Sequence, residues 1–579
     1  MKYKILMNFI SENKVTYLTG LLFMFLASYI QSLFPKVLGN TIDLLKEKTF
    51  NKNSIYLNIE LILLISISVF IFTYIWRNLV IGNARKIECR LREDLYRHFQ
   101  SLSQEFYSKR KTGDLIAYGI NDVLAVRMAL GPATAMSING FILCFSSIYF
   151  MFTSIDFRLT LFTIVPIPAV IFFMFLIGNK IQYKFRRVQE LFGEISDRVQ
   201  ENIYGIRVIK AYVQEDNEIQ RFDTLSEKMI NANIEMVRTS SLLTPIIEAC
   251  FSISFVLNLI LGGNMVLEGS ISIGDFVAFN TYLGMIMAPI VSIGRVVNIF
   301  QRGLASLQRL QEIFNISPDI ADGKKAVDAS IEGSIEFKNL TFYYPGMKKP
   351  ALENFSLKIE KGKTIGIIGK TGSGKTTMAN LLLKLYNTDP GQLYLDGRDI
   401  NDYSLKSIRD SFSFVPQDTF LFSASIKDNI ASFKNIYTDD EIEAASKYSS
   451  VYESICGFPC NFDTLLGERG VNLSGGQKQR ISIARALIRS SSALILDDAL
   501  SAVDTVTEDR ILKNFKKHRN GKTTLIISHR VSAVSASDKI VVLSDGKMHE
   551  QGTHQELINK KGLYYEIYTE QIKEKAIYN

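Results

Sequence analysis

Six apolar runs mark out the first half of the chain, at residues 15–37, 55–80, 128–153, 158–178, 242–267 and 274–300. Each supplies the ~20 consecutive apolar residues that carry a helix across a hydrocarbon core. Each is therefore expected to be a membrane-spanning helix. The third and fourth runs are joined by a few residues around Asp156, which predicts a tight hairpin. The fifth and sixth are joined by a short polar stretch containing Glu268, Gly269 and Ser270. Two longer intervals, 81–127 and 179–241, are polar and carry few helix breakers, so they too read as helix. At about 1.5 Å per residue such helices project tens of ångströms beyond a bilayer. Both intervals are rich in Lys and Arg, including Arg85, Arg90, Arg97, Arg110, Lys180, Arg186, Arg198 and Arg207. The positive-inside rule places both in the cytoplasm, and with them both chain termini.

The pattern changes after residue 315. Residues 316–333 are polar with Pro and Gly and read as a linker. From Ser334 short β-type runs appear, Ile335–Phe337 and Leu340–Tyr344, and strands then alternate with helical stretches. The expected organisation is a transmembrane domain over 1–315 and an α/β domain over 334–579.

Composition agrees with that mosaic. The chain of 579 residues is 47% hydrophobic and 21% charged. Its net charge of +8 goes with basic residues that cluster around the apolar runs, so no nucleic-acid partner is implied. The lipid bilayer is the partner that the apolar runs require. Cys89, Cys144, Cys250, Cys456 and Cys460 are scattered and imply neither a disulfide framework nor a zinc site. The N-terminal stretch is short and basic (Lys2, Lys4, Lys14), and the first run shows no small-residue cleavage site, so no cleavable signal is expected.

Candidate chemistry lies in the α/β half. Gly369-Lys370-Thr371-Gly372-Ser373-Gly374-Lys375-Thr376 reads G-x-x-x-x-G-K-T, followed by Thr377. It lies between an apolar strand-like run, Thr364–Ile368, and a helix-like run, Met378–Leu383, which is the setting a phosphate-binding P-loop requires. Its glycines let backbone N–H groups turn towards phosphate oxygens. Lys375 would neutralise the β- and γ-phosphates of ATP, and Thr376 would hold Mg²⁺. Leu494–Asp498 is an apolar strand ending in two carboxylates, which sets Asp497 beside that Mg²⁺.

Between these two motifs stands Leu473-Ser474-Gly475-Gly476-Gln477, which resembles the signature of ATP-binding-cassette (ABC) ATPases. Val415-Pro416-Gln417 is similar to their Q-loop, Ser501–Asp504 to their D-loop, and Ile527-Ser528-His529-Arg530 to their switch histidine. Tyr344 before Pro345 matches the aromatic that stacks on adenine. Leu466–Gly470 resembles the segment found in exporters. Six spans followed by one cassette resemble a half-transporter of the type IV exporter, or multidrug-resistance, class. The fold implied is a six-span α-helical transmembrane domain fused to a soluble α/β P-loop NTPase domain. The resemblance further implies a second half-transporter as partner, with each ATP held between one chain's P-loop and the other's signature. It assigns Gln417 to Mg²⁺ and the attacking water, Asp504 to the D-loop, and coupling helices near Gly113 and Gly205, the second docking on the partner's cassette. A multi-pass protein of the cell membrane with a cytoplasmic ATPase domain follows.

One position departs from the family. Its general base after the Walker B aspartate is glutamate, and here it is Asp498. The carboxylate is kept on a side chain one methylene, about 1.5 Å, shorter, and a base must lie within hydrogen-bond reach of its proton. Slow hydrolysis at this chain's own P-loop is expected. This favours a heterodimer over a homodimer, since the intact signature would complete a competent site on the partner. In that respect the chain is similar to the degenerate-site subunit of heterodimeric Gram-positive multidrug exporters. For a hydrophobic or amphipathic small-molecule substrate, Glu248 in the fifth run and Phe276, Phe279, Tyr282, Met285 and Met287 in the sixth are candidate contacts. A lipid flippase is the alternative of the same class, and an ATP-binding sensor without transport is that of another.

Overall fold

The computed structural model describes residue 9 and residues 11–46, 52–323, 325–434 and 436–578. The basic positions Lys2 and Lys4 lie outside the described residues. The chain divides into two compact units, Met1–Gln100 with Thr112–Ile316, and Ser101–Lys111 with Ser317–Asn579.

Among the described residues of the first unit, six helices are long and apolar enough to cross a membrane. They are α1 (Lys14–Lys46), α2 (Asn53–Ser101), α3 (Thr112–Ser154), α4 (Phe157–Tyr204), α5 (Glu215–Leu267) and α6 (Ile273–Phe314). Each apolar run of the sequence falls inside one of them, and the charged intervals continue the same helices. The α3–α4 hairpin is tight because Asp156 caps α4, its carboxylate accepting from Leu159 N–H at 2.9 Å. Ser272 and Asp275 close a reciprocal capping box at the start of α6. Only 6% of the apolar window of α2 is buried. Its Leu57, Leu64, Ile67, Phe70 and Tyr74 are exposed, a surface that requires hydrocarbon around it.

The spans pack where side chains are small or aromatic. α1 crosses α6 at Gly39 and Gly274, where a Cβ on Gly39 would stand 2.6 Å from the Gly274 carbonyl oxygen. Such close backbone approach needs residues without side chains. Gly274 N–H donates to Asp43 at the same crossing, at 2.7 Å. Phe150, Met151, Val170, Phe251, Phe279, Tyr282 and Leu283 fill the interior between helices. The Tyr282 hydroxyl donates to the Ser32 carbonyl at 2.9 Å. Turns of π-helix interrupt α3 at Tyr118–Asp122 and Ala129–Ala133, the second around Pro132, and α5 at Asn258–Gly262. Proline has no N–H for the α-helical ladder, and a wider turn absorbs the loss.

The second unit contains two sheets. The antiparallel one has the order β2–β1–β4–β5, with β1 Ile335–Phe342, β2 Leu352–Ile359, β4 Leu393–Leu395 and β5 Arg398–Asp399. The larger one has the order β10–β9–β3–β8–β7–β6. Its members are β3 Thr364–Gly369, β6 Phe412–Val415, β7 Ala493–Asp497, β8 Thr523–Ser528, β9 Lys539–Ser544 and β10 Lys547–Gly552. β6, β7, β8, β3 and β9 run parallel, and β10 pairs antiparallel with β9. Parallel strands direct all their C-terminal ends to one edge, where α/β folds place their ligands. Here that edge carries the residues that follow β3, β6, β7 and β8. Most side chains of β3, β7 and β8 are fully buried, which explains their unbroken apolar pattern.

Two boundaries differ from the sequence reading. The stretch read as a linker is sewn into the cassette from Val327, which bridges to Tyr403. The Glu332, Gly333 and Ser334 N–H groups all converge on the Asp396 carboxylate. The segment near Gly113 is also different. Thr112–Ala117 opens α3 and buries none of its residues. A separate short helix, Gln104–Ser108, groups with the cassette unit. Its Phe106 is buried, and Ser103 donates to Asp319 at 3.0 Å. The apolar Phe106 rather than the glycine marks the docked turn, because burial of an aromatic ring stabilises contact and glycine does not.

Candidate active site

The P-loop joins β3 to α7 (Lys375–Leu382), and its shape follows from its glycines. Gly372 and Gly374 have φ of +82° and +99°, a region L-residues disfavour. A Cβ on Gly369 would overlap the Leu543 carbonyl oxygen. Lys375 is buried, and its Nζ donates to the carbonyls of Gly369 at 2.8 Å and Lys370 at 2.9 Å. Burial lowers its pKa to about 8, against the opposing pull of Asp497 and Asp498.

A cavity of about 410 Å³ opens over this loop. Its walls include Tyr344, Thr371–Thr377, Gln417, Asp497, Asp498 and His529. The sheet explains their meeting. Gln417 follows β6, Asp497 ends β7 and His529 follows β8, while register pairs Ile368 of β3 with Ser528. Tyr344 is held edge-on against Phe342 and Tyr386, with ring centroids 5.1 Å away in each case. Its hydroxyl is 3.2 Å from Thr377 Oγ1.

Desolvation raises the pKa of Asp497, against the opposing pull of the neighbouring Thr376 side chain. Its Oδ2 is buried and has no hydrogen-bond partner among the described residues. A buried carboxylate oxygen left bare beside a threonine hydroxyl fits a hard divalent cation such as Mg²⁺. Asp498 lies in the left-handed region, φ +46°, which Asp tolerates better than most residues. Burial and Lys375 lower the pKa of His529.

The signature residues stand elsewhere on the same unit. Ser474 caps α8 (Gly475–Ile488) in a capping box with Gln477. Its hydroxyl accepts from Gln477 N–H at 3.3 Å and keeps its own proton to give. A Cβ on Gly476 would stand 2.8 Å from the Ala502 carbonyl oxygen, so the glycines let α8 begin against the D-loop. Ser474, Gly475, Gly476, Arg480, Ala502, Val503 and Asp504 line a second cavity of about 400 Å³. Leu473 is buried beneath it. The motifs thus fall into two groups, a P-loop cavity and a signature cavity.

Sequence reasoning missed the side chains that tie these groups together. Gln479 is 5% exposed. Its Nε2 donates to Ser501 Oγ and its Oε1 accepts from Ala502 N–H, each at 2.9 Å. Ser501 Oγ in turn donates to the Asp498 carbonyl at 2.9 Å. Arg530 donates to the carbonyls of Ser501 at 2.7 Å and Val503 at 3.1 Å, and pairs with Glu508. A glutamine two places past the signature and an arginine beside the switch histidine were the available signals. In the membrane unit, Glu248 is exposed, and Phe276 and Met285 are partly buried. Phe279 and Tyr282 are fully buried in helix packing, so they are interior positions rather than cavity walls.

A bundle of six apolar helices and a P-loop cassette with a separate signature surface define an ABC transporter. Residues 17–290 match the ABC transporter transmembrane region family, and residues 352–501 match the ABC transporter family. The chain is 38% identical to a probable multidrug resistance ABC transporter ATP-binding/permease protein of Bacillus subtilis, over 96% of this chain and 95% of that protein. It is 34% identical to an ATP-dependent lipid A-core flippase of Photobacterium profundum, over 83% of this chain and 82% of the other. A solved structure of a bacterial Atm1-family ABC exporter with ATP bound superposes with TM-score 0.79 at 25% identity, covering 97% of this chain and 98% of that one. The chain belongs to the multidrug-resistance-like family of ABC exporters. It is a multi-pass membrane protein whose ATPase domain drives transport, built as a half-transporter.

Proposed function

We propose that the chain exports hydrophobic or amphipathic small molecules as one half of a heterodimer, and that its own P-loop site hydrolyses ATP slowly. Asp498 carries this reading. It occupies the base position beside Asp497, with a side chain one methylene short of the attacking water. Lys375 and the P-loop N–H groups hold the phosphates, Tyr344 the adenine, and Thr376, Gln417 and Asp497 the Mg²⁺. The metal neutralises charge on the β- and γ-phosphates when bound. Ser474, Gly475 and Gly476 present a hydroxyl and two backbone N–H groups to the partner's ATP, whose hydrolysis is the faster one. ATP then draws the cassettes together, and the membrane helices follow through the Gln104–Ser108 and Ile206–Ala211 turns. The exposed Ile203, Tyr204, Val208 and Tyr212 suit the second turn to a docking cleft on the partner's cassette. Both termini and the cassette face the cytoplasm. Glu248, Phe276 and Met285 contact substrate.

The test is ATP turnover of the purified chain alone, of its complex with a neighbour-encoded half-transporter, and of Asp498→Glu. Slow turnover alone, fast turnover in the complex and a gain with Asp498→Glu are expected. Equal activity per cassette in the lone chain would sink the heterodimer, and unchanged turnover with Asp498→Glu would sink the weak base. Transport of a lipid-linked substrate is the second reading, favoured by the flippase relative at 34% identity. ATP-dependent dye accumulation in inside-out vesicles without movement of labelled lipid separates the two.

A further inference from the structure

The last helix, α9 (Leu563–Tyr578), carries none of the motifs above, yet it bonds the backbone beside the switch histidine. Gln571 Nε2 donates to the His529 carbonyl at 2.7 Å, and its Oε1 accepts from Val531 N–H at 2.9 Å. One side-chain amide therefore grips the backbone on both sides of Arg530. Ser528 Oγ accepts from Arg530 N–H at 3.0 Å and closes the inner side of the same turn.

The position of this grip gives it meaning. Strand β8 ends at Ser528, so the sheet ladder fixes the chain only as far as the residue before His529. Beyond it, Val531 N–H is the first donor of the short helix Val531–Val534, and such donors have no partner within their own helix. Val531 is 4% exposed, so water cannot replace the amide. Gln571 thus meets a buried backbone N–H that would otherwise lack a partner, and holds the half-buried His529 carbonyl with the same amide. The helix bearing it is anchored independently. Glu550 accepts from the Leu563 and Tyr564 N–H groups at 2.7 and 3.2 Å, and the fully buried Tyr564 pairs with His554 Nδ1 at 2.7 Å.

We propose that Gln571 is a positioning residue for the switch histidine, so that the C-terminal helix sets where the His529 ring stands in the P-loop cavity. The inference holds for a homodimer or a heterodimer alike. It is tested on the full-length chain in lipid nanodiscs, in the native form and with Asp498→Glu. That second background raises turnover at this site if the base is weak, and comparing the two backgrounds tests the weak base separately. Gln571→Leu removes both hydrogen bonds. Gln571→Glu keeps an acceptor for Val531 N–H and loses the donor to His529.

Hydrogen–deuterium exchange is expected to quicken in the peptide over residues 528–534 and to stay unchanged in the P-loop. The kcat for ATP is expected to fall on the order of tenfold, with KM held within about twofold, because misplacing a catalytic group mainly affects the transition state. The fall should vanish when His529→Ala is already present, since the two residues act through one element. Unchanged exchange over 528–534 overturns the inference, as does an equal loss of kcat in the His529→Ala background. If Gln571→Leu prevents folding, Gln571→Glu decides by the same readouts.

Discussion

Lys375 carries its charge in a place that opposes it. Burial holds its pKa near 8 in the nucleotide-free chain, and ATP phosphates favour the protonated form. Above about pH 8, binding must take up a proton, so affinity for ATP should weaken by up to about tenfold per pH unit. Titrations from pH 7 to 9.5 in buffers of different ionisation enthalpy check this, and a dissociation constant flat across that range refutes it. The sign for stability follows the same linkage. A lysine whose folded pKa lies below its unfolded one leaves the unfolded state holding more protons between about pH 8 and 10.5. Its contribution to the stability of the nucleotide-free chain therefore rises through that window, and saturating ATP removes the rise. Much of this site was legible beforehand, because Gly369–Thr376 and Asp497 stand in local sequence patterns and His529 in a motif that resembles the family's switch. Gln479, Arg530 and Gln571 were not, because they act on backbone groups brought together only by the sheet and the last helix.

Among the elements, the crossing of α1 and α6 leaves no room for a side chain. A Cβ on Gly274 would overlap the Gly39 carbonyl oxygen and the Asp43 carboxylate. Gly274→Ala should lower the stability of the membrane unit by roughly 1–3 kcal/mol, the usual cost of overpacking. Gly263→Ala, where a Cβ meets nothing within 4 Å, should leave it unchanged. Thermal denaturation in detergent distinguishes them, and equal melting temperatures would refute the packing argument. The six spans were readable because helices of about 20 apolar residues have few alternatives in a bilayer. The π turns in α3 and α5 and the docked Gln104–Ser108 turn were not. They depend on which neighbour a helix meets, and Gly113 drew attention from Phe106 a few residues earlier.

For the whole molecule, the important fact is that one cassette bears two unlike cavities. In the heterodimer proposed above, Gly476→Asp should cut ATP turnover at least about tenfold, by blocking the γ-phosphate shell of the proposed faster site. Lys375→Ala should cost the complex much less hydrolysis, because it empties only the slower one. Equal losses from the two changes would contradict the unequal-site assembly. The separation of the cavities has a genetic consequence. In the proposed heterodimer, lesions in one chain would divide into two complementation groups set by position rather than by gene. There a defect beside Ser474 and a defect in the partner's P-loop would break the same active site, so combining them should be no worse than either alone. A defect beside Ser474 combined with one in this chain's own P-loop would break both sites. Two changes on different polypeptides can thus be milder than two on the same one.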